Sequence, residues 1–250
     1  MAHKIGIIGG SGLDDPELFL HPRDLTMDTP WGEPSSTLRE GEIGGVPVVL
    51  LARHGREHTI PPSRVNYRAN IHALKSAGCT RILASTAVGS LREEIRRGDL
   101  VVPDQFIDFT RQRRMTFYES FAPGQPRHAA MPDPFDPGLR AVLIAELESL
   151  GYRHHPAGTL ITIEGPRFST RAESRMYRVW GADIVNMSVA TEAALANEAD
   201  VPYAAVAMST DYDSWKDDEE AVTWDAIAAV AAENAHKVLT LLQHVIPRLG

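Results

Sequence analysis

IGIIGGSG, residues 5–12, joins a short apolar run to a glycine-rich segment. An apolar run of this length that ends in glycines predicts a buried strand followed by a tight loop. Glycines let the backbone approach a ligand, and the loop N–H groups together with the Ser11 hydroxyl can hold an anion. The spacing does not fit a dinucleotide fingerprint, and a P-loop would carry a lysine. A plain turn is the alternative interpretation.

Predicted strands and helices alternate downstream of this first strand. Strands are predicted at 46–52, 81–85, 100–102, 160–163, 184–186 and 203–208, and helices at 65–77, 138–150, 170–180 and 190–199. Apolar residues recur at helical spacing from Trp224 to Leu242, which predicts a long amphipathic C-terminal helix. Several strands are apolar throughout, which is typical of a sheet covered on both faces. The pattern predicts an α/β fold with a central sheet between two layers of helices.

The bulk composition limits the possible functions. With 250 residues and 43% hydrophobic content, the chain can bury a large core, and we predict a single domain spanning 1–250. A net charge of −8 disfavours a nucleic-acid partner. Cys79 is the single cysteine, so no intrachain disulfide can form. Because the sequence shows neither a signal segment nor an apolar run of membrane-spanning length, we predict a cytoplasmic protein with no membrane partner.

Cationic side chains directly follow the predicted strand 46–52, in RHGREH at 53–58. The carboxyl ends of strands are where open α/β sheets bind ligands, and the Arg53 guanidinium can hold two phosphate oxygens at once. His54 and His58 have a spacing seen in zinc sites, but Gly55 and the prolines that follow disfavour a helix there, so we predict no metal. A solvated basic loop is the alternative.

Three more polar segments lie at predicted strand ends. ASTAVGS at 84–90 offers the Thr86 hydroxyl to an anion, although tight packing of small side chains explains it equally well. EGPRFS at 164–169 offers Phe168 for stacking on a planar ligand, although a single aromatic is more often a core residue. TDYD at 210–213 places Asp211 and Asp213 after a buried strand. Desolvation raises the pKa of such a carboxyl towards use as a general acid. A turn capped by one aspartate is the alternative.

Eight ordered blocks together resemble the trimeric purine nucleoside phosphorylase family, and within it the branch that cleaves 5'-methylthioadenosine. They run nearly end to end: IGIIGGSGLDDPELF (5–19), TPWGEPS (29–35), ARHGREHTIPPSRVNYRANIHALKSAG (52–78), AVGSL (87–91), VVPDQFID (101–108), EGPRFSTRAE (164–173), GADIVNM (181–187) and AMSTDYDSW (207–215). The resemblance implies the mixed central sheet of the nucleoside phosphorylase fold and a homotrimer, with a hexamer as the alternative.

The resemblance also implies the site residues. Motif by motif, the phosphate ligands are Ser11, Arg53, His54, Thr86, Ala87 and Ser188. The nucleoside contacts are Phe168 on the base, Met187 on the ribose, Thr210, Asp211 and Asp213 at the base edge, and His128, which a neighbouring subunit contributes near the 5' group. Asp211 is implied as the general acid, supported by Asp213. Inorganic phosphate is the implied co-substrate, and no cofactor or metal is implied.

Two positions distinguish 6-aminopurines from 6-oxopurines. An aspartate accepts from N6 and, when protonated, donates to N7, whereas an asparagine suits an O6 acceptor. Asp211 stands where the oxopurine branch has Asn, and Ser169 stands where that branch has Glu. We therefore predict phosphorolysis of 5'-methylthioadenosine. The alternatives are adenosine, 5'-deoxyadenosine or a 6-oxopurine nucleoside as substrate, a nucleoside hydrolase, and a non-enzymatic nucleoside-binding protein.

The chain departs from the family pattern in two places. Val189-Ala190-Thr191-Glu192 stands where the family commonly shows Val-Pro-Glu, so we expect a slightly shifted helix start after Ser188. Trp224 stands where the family has a small or β-branched residue in the 5' pocket. Its ring either packs into the core or narrows that pocket, which would favour the smaller 5' groups of adenosine and 5'-deoxyadenosine.

Overall fold

The computed structural model describes residues 3–9, 19–218 and 223–250, with only the backbone of Trp224, Ala226, Ala229 and Glu233. In this part of the chain the strands are β1 (Ile5–Gly9), β2 (Leu20–Leu25), β3 (Leu38–Ile43), β4 (Val46–Ala52), β5 (Arg81–Ser90), β6 (Leu100–Val101), β7 (Gln105–Phe109), β8 (His154–His155), β9 (Thr159–Ile163), β10 (Ile184–Asn186) and β11 (Tyr203–Asp211). The α-helices are α1 (Tyr67–Ser76), α2 (Pro137–Ser149), α3 (Arg171–Val179), α4 (Val189–Glu198) and α5 (Trp224–Val245).

The strands form one mixed sheet. Its main path runs β2-β3-β4-β1-β5-β10-β9-β7, and β11 branches from β5 towards β6 and β8. β1 pairs in parallel with β4 and β5, and β11 pairs in parallel with β5. β10 lies antiparallel to β5 but parallel to β9. The α/β class with a mixed central sheet is therefore confirmed.

Helices cover both faces of the sheet. On one face, buried residues of α1 and α4 such as Ile71 and Ala193 pack with strand residues in one apolar cluster. On the other face, α2 and α5 bury Leu143 and Leu242 in a second cluster. Two-sided burial explains why the central strands are apolar throughout. No helix in the described ranges is long and apolar enough to cross a membrane.

Two central strands are longer than the sequence predicts. β5 continues to Ser90 instead of ending at 85, and β11 continues to Asp211 instead of 208. The two strands pair in parallel along this length, with Thr86 opposite Ala207. Ladder hydrogen bonds from a neighbouring strand offset the weak strand propensity of small residues. Thr86 and Ala87 therefore lie inside a strand, and the predicted strand end at 85 is wrong.

Four strands, β2, β3, β7 and β8, are not predicted from the sequence. β2 is mostly exposed and contains Pro22, and β8 has two residues, so neither shows an apolar pattern. Helix starts were predicted more closely: α3 begins after Thr170, whose hydroxyl and Glu173 form a capping box. α4 begins at Val189 despite the absent proline, with Ser188 at the N-cap. The carboxyl-terminal ends of β4, β10 and β11 lie close to residues 85–89 in the second half of β5.

Candidate active site

A cavity of about 400 Å³ opens where these strand ends meet. Residues from the end of β4, from β5, from the segments after β9 and β10, and from the end of β11 line it, together with α5. The residues predicted from the sequence that line this cavity are Arg53, His54, Thr86, Ala87, Phe168, Met187, Ser188, Thr210, Asp211 and Asp213. Arg53 and Asp213 are 160 positions apart in the sequence, and both line this one cavity.

Three predicted residues are not placed in this cavity. Ser11 and the Trp224 side chain lie outside the described residues. His128 is exposed, and its ring lies 5.6 Å from the Phe121 ring, away from the cavity of its own chain. A role for His128 in the site of a neighbouring subunit is compatible with this exposure and stays a prediction.

Arg53 is buried and held by an acidic partner that the sequence did not indicate as functional. Its Nε donates to Glu192 Oε1 at 2.5 Å and its Nη2 to Oε2 at 2.9 Å, while Nη1 donates to the Ser85 carbonyl at 2.8 Å. The Tyr203 hydroxyl donates to Glu192 as well. A guanidinium has five N–H groups, so these three bonds leave two for a ligand in the cavity.

The ion pair also sets the charge at this end of the cavity. Burial alone would lower the pKa of Arg53, but the Glu192 carboxylate outweighs burial and raises the pKa above its ordinary value. Arg53 is therefore always charged, and Glu192, which is completely buried, balances that charge. An anion in the cavity would therefore bind to oriented N–H donors of Arg53, whose positive charge the Glu192 carboxylate largely cancels.

His54 is neutral at physiological pH. Burial, reinforced by the charge of Arg53, lowers its pKa to about 4. Its Nδ1 lies 2.8 Å from the Ile60 carbonyl oxygen, which can only accept, so Nδ1 carries the proton. The Nε2 atom is then left as an acceptor, which suits a hydroxyl of a protonated phosphate.

A buried hydrogen-bond chain positions the remaining candidate anion ligands. Thr162 Oγ1 donates to Asn186 Oδ1 at 2.8 Å, and Asn186 Nδ2 donates to Thr86 Oγ1 at 3.2 Å. Asn186 thereby fixes the position of the Thr86 hydroxyl. Ser188 is buried at the start of α4, yet its hydroxyl makes no capping bond to the helix and can bind a ligand.

Asp211 and Asp213 lie together at the opposite end. Thr210 Oγ1 donates to Asp211 Oδ2 at 2.8 Å, and the Asp213 backbone N–H donates to Oδ1 at 2.7 Å. Burial raises the pKa of Asp211 to about 6, although these two hydrogen bonds oppose the shift. The close approach requires Gly89, because a Cβ at that position would lie 2.9 Å from Asp211 Oδ1.

Asp213, the second predicted carboxylate, lies in a strained backbone position. Its φ of 48° lies in the left-handed region, which aspartate tolerates better than most residues. Burial raises the pKa of its carboxyl, and the hydroxyls of Ser174 and Ser169 partly oppose that shift. Ser214 Oγ donates to the Ser169 carbonyl at 2.7 Å, which connects the turn to the segment that carries Phe168.

The described part of the chain holds no group of three His, Cys, Asp or Glu side chains placed to bind a metal ion. The His54 and His58 rings lie 4.6 Å apart and both line the cavity. The sequence does not indicate the residues whose role depends on a distant partner. They are Glu192, which binds Arg53, Asn186, which binds Thr86, and Arg113, which binds Glu164 and the Met187 carbonyl. Local pattern gives no sign of such pairings.

Comparison with known proteins gives a consistent result. A sequence model described as the phosphorylase superfamily matches residues 4–246. The chain is 54% identical to S-methyl-5'-thioadenosine phosphorylase of Xenopus tropicalis, with 100% of this chain and 90% of the relative covered. It is 51% identical to the protein of the same name from Hyperthermus butylicus, with 98% and 88% covered.

Solved structures agree with the sequence relatives. Methylthioadenosine phosphorylase from Schistosoma mansoni in complex with adenine superimposes with a TM-score of 0.92 at 43% identity, covering 98% of this chain and 91% of that one. A mutant of the adenosine/methylthioadenosine phosphorylase from the same organism, in complex with methylthioadenosine, gives a TM-score of 0.89 at 42% identity, with 98% and 90% covered. The expected family and fold are confirmed.

Proposed function

The chain belongs to the phosphorylase superfamily, and from this membership we propose that it cleaves S-methyl-5'-thioadenosine with inorganic phosphate, releasing adenine and 5-methylthioribose 1-phosphate. It is a pentosyltransferase. One observation supports the proposal most directly. The protonatable carboxyl of Asp211 and the anion-binding donors around Arg53 line the same cavity.

The two ends of the cavity suit the two halves of the reaction. As the glycosidic bond stretches, negative charge develops on the purine and positive charge on the ribose. A protonated Asp211 donates to N7 and neutralises the leaving group. Phosphate held by Arg53, His54, Thr86, Ala87 and Ser188 lies beside the positive centre and attacks C1'. Phosphate and the aspartate supply the nucleophile and the acid, so the proposed reaction calls for no organic cofactor.

The base-binding end favours adenine over a 6-oxopurine. Asp211 accepts from N6 in its second role, and Ser169, which is buried, lacks the carboxylate that would hold an N1 proton. Phe168 lines the same cavity and can serve as a stacking partner for the base. A substrate that leaves a buried polar group of the site without a hydrogen-bond partner can have a kcat/KM lower by a factor of about 10⁴.

The deciding experiment measures adenine release from 5'-methylthioadenosine by the purified protein, with and without inorganic phosphate. We expect release that requires phosphate and produces one pentose 1-phosphate per adenine. Release without phosphate would identify a hydrolase, and binding without release would identify a nucleoside-binding protein. Parallel assays on adenosine, 5'-deoxyadenosine and methylthioinosine rank the 5' groups and the bases. A preference for methylthioinosine would contradict the adenine assignment.

We further propose a homotrimer in which His128 completes the 5' end of a neighbouring site. The exposure of His128 in its own chain supports this assignment. We also propose that the protein is located in the cytoplasm.

The proposed acid predicts how activity depends on pH. Because Asp211 must be protonated to donate and its pKa is raised to about 6, its protonated fraction falls as pH rises through 6. We expect kcat/KM for the nucleoside, at saturating phosphate, to fall about tenfold per pH unit above that value. The measurement is a pH–rate profile from pH 5 to 8. Asp211→Asn should lack this limb, and an unchanged kcat/KM between pH 6 and 8 in the wild-type protein would contradict the assignment.

A further inference from the structure

Arg113 is a buried arginine in the long irregular segment between β7 and α2. Its side chain is 3% exposed, although its neighbours Arg111 and Arg114 are exposed. The sequence offers no reason to distinguish it from them. Burying a guanidinium is costly unless its donors are paired, so the partners of Arg113 show what it does.

Its partners lie at the ends of two strands that line the cavity. Nε donates to Glu164 Oε1 at 2.9 Å and Nη2 donates to the Glu164 carbonyl at 2.8 Å, directly after β9. Nη2 also donates to the Met187 carbonyl at 2.9 Å, directly after β10. Nη1 donates to the Tyr67 hydroxyl at 2.6 Å, and that hydroxyl lies 3.3 Å from the same Met187 carbonyl.

The bond to Met187 orients the next residue. A trans peptide is planar, with its C=O and N–H on opposite sides. Holding the Met187 carbonyl towards Arg113 therefore turns the Ser188 N–H away from Arg113, and that N–H lies 3.4 Å from Asn186 Oδ1. The same peptide precedes α4, the helix that carries Glu192 and so positions Arg53.

We propose that Arg113 is a positioning residue, which holds the Met187–Ser188 peptide so that the Met187 side chain and the Ser188 hydroxyl face the ribose and the phosphate in the cavity. This inference rests on the proposed function for the identity of the ligand. Glu164, which Arg113 binds through Oε1, also holds the irregular segment in place. Its other oxygen, Oε2, accepts from the backbone N–H groups of Arg111 and Gln112. The segment that contains His128 is thereby connected to the phosphate end of the cavity.

The test compares Arg113→Lys with Arg114→Lys as the matched control in the same segment. Lysine keeps the charge, but a single ammonium cannot serve Glu164, Tyr67 and Met187 at their present positions. We expect the KM for phosphate, and the Kd for inorganic phosphate from calorimetry, to rise about tenfold in Arg113→Lys. The Kd for adenine should change by less than about threefold, because the base contacts at Asp211 are untouched. Arg114→Lys should match the wild-type protein.

A second variant keeps the proposal testable if Arg113→Lys does not fold. Tyr67→Phe removes one acceptor of Arg113 and keeps the ring, and we expect about a threefold rise in the Kd for phosphate. An unchanged Kd for phosphate in the folded variants would overturn the proposal. The proposal would also be overturned if the variants lost phosphate and adenine binding equally and in proportion to a lower melting temperature. Phosphate-independent turnover by the wild-type protein would instead refute the proposed function, and calorimetry with phosphate would still test Arg113.

Discussion

Asp211→Asn is expected to lower kcat for 5'-methylthioadenosine by about 10²–10⁴-fold, the usual loss when a general acid is removed. The amide has the shape of the carboxyl, but its N–H protons are not acidic enough to be transferred to N7. Its oxygen can still accept from the Asp213 backbone N–H, and its NH₂ can donate to Thr210 Oγ1, whose hydroxyl lies 3.2 Å from the Val88 carbonyl and can donate there. The fold should therefore survive, and the loss should be one of turnover.

The control for this substitution is Asp217→Asn, six residues further along the chain. Asp217 is exposed and pairs with Arg175 on the surface, so removing its charge should leave kcat unchanged. Because an asparagine amide can donate to O6, we also expect the ratio of methylthioinosine to methylthioadenosine turnover to rise in Asp211→Asn. Rates within about threefold of the wild-type protein on the adenine substrate would refute the general-acid assignment.

The position of Asp211 could be predicted from the sequence because its setting is local. An apolar run followed by TDYD indicates a carboxylate at a buried strand end, and the structure places it there with a raised pKa. Strands β4 and β10 also have the predicted bounds, since β4 is a continuous apolar run and β10 is a buried Ile-Val pair that ends at the polar Asn186. In these cases local hydrophobicity and tertiary environment agree.

The partners of the site residues could not be predicted in this way. Arg53 and Glu192 lie 139 positions apart, and nothing near either residue indicates the other. Glu192 occurs in a mostly apolar helix that also contains Glu198, and the sequence does not show which of the two glutamates is fully buried. The irregular segment gave no means of separating buried Arg113 from exposed Arg114. Such pairings are decided by how the sheet brings strand ends together, which a single sequence does not reveal.

Glu192→Gln is expected to reduce the free energy of unfolding by about 3–5 kcal/mol, because it leaves the buried Arg53 charge without its counter-ion. Gln has nearly the same shape, and its oxygen can still accept from Arg53 Nη2 and the Tyr203 hydroxyl. Its NH₂ then faces Arg53 Nε in place of an acceptor, so the loss combines the charge with one hydrogen bond. Denaturant unfolding monitored by circular dichroism measures it. Asp217→Asn, which breaks an exposed pair, should cost less than about 1 kcal/mol. Similar values for the two variants would contradict the role of Glu192 as the counter-ion of Arg53.

The double variant Arg53→Met with Glu192→Gln separates stability from function. It removes the buried charge and its counter-ion together, and replacing a buried ion pair by uncharged groups of similar volume is often neutral or stabilising. We expect it to recover more than half of the stability lost in Glu192→Gln. Phosphorolysis should not recover, because the two N–H groups that Arg53 offers to phosphate are gone. Recovered stability with lost phosphate use would mean that the fold does not need the pair and that Arg53 and Glu192 are retained to bind the anion.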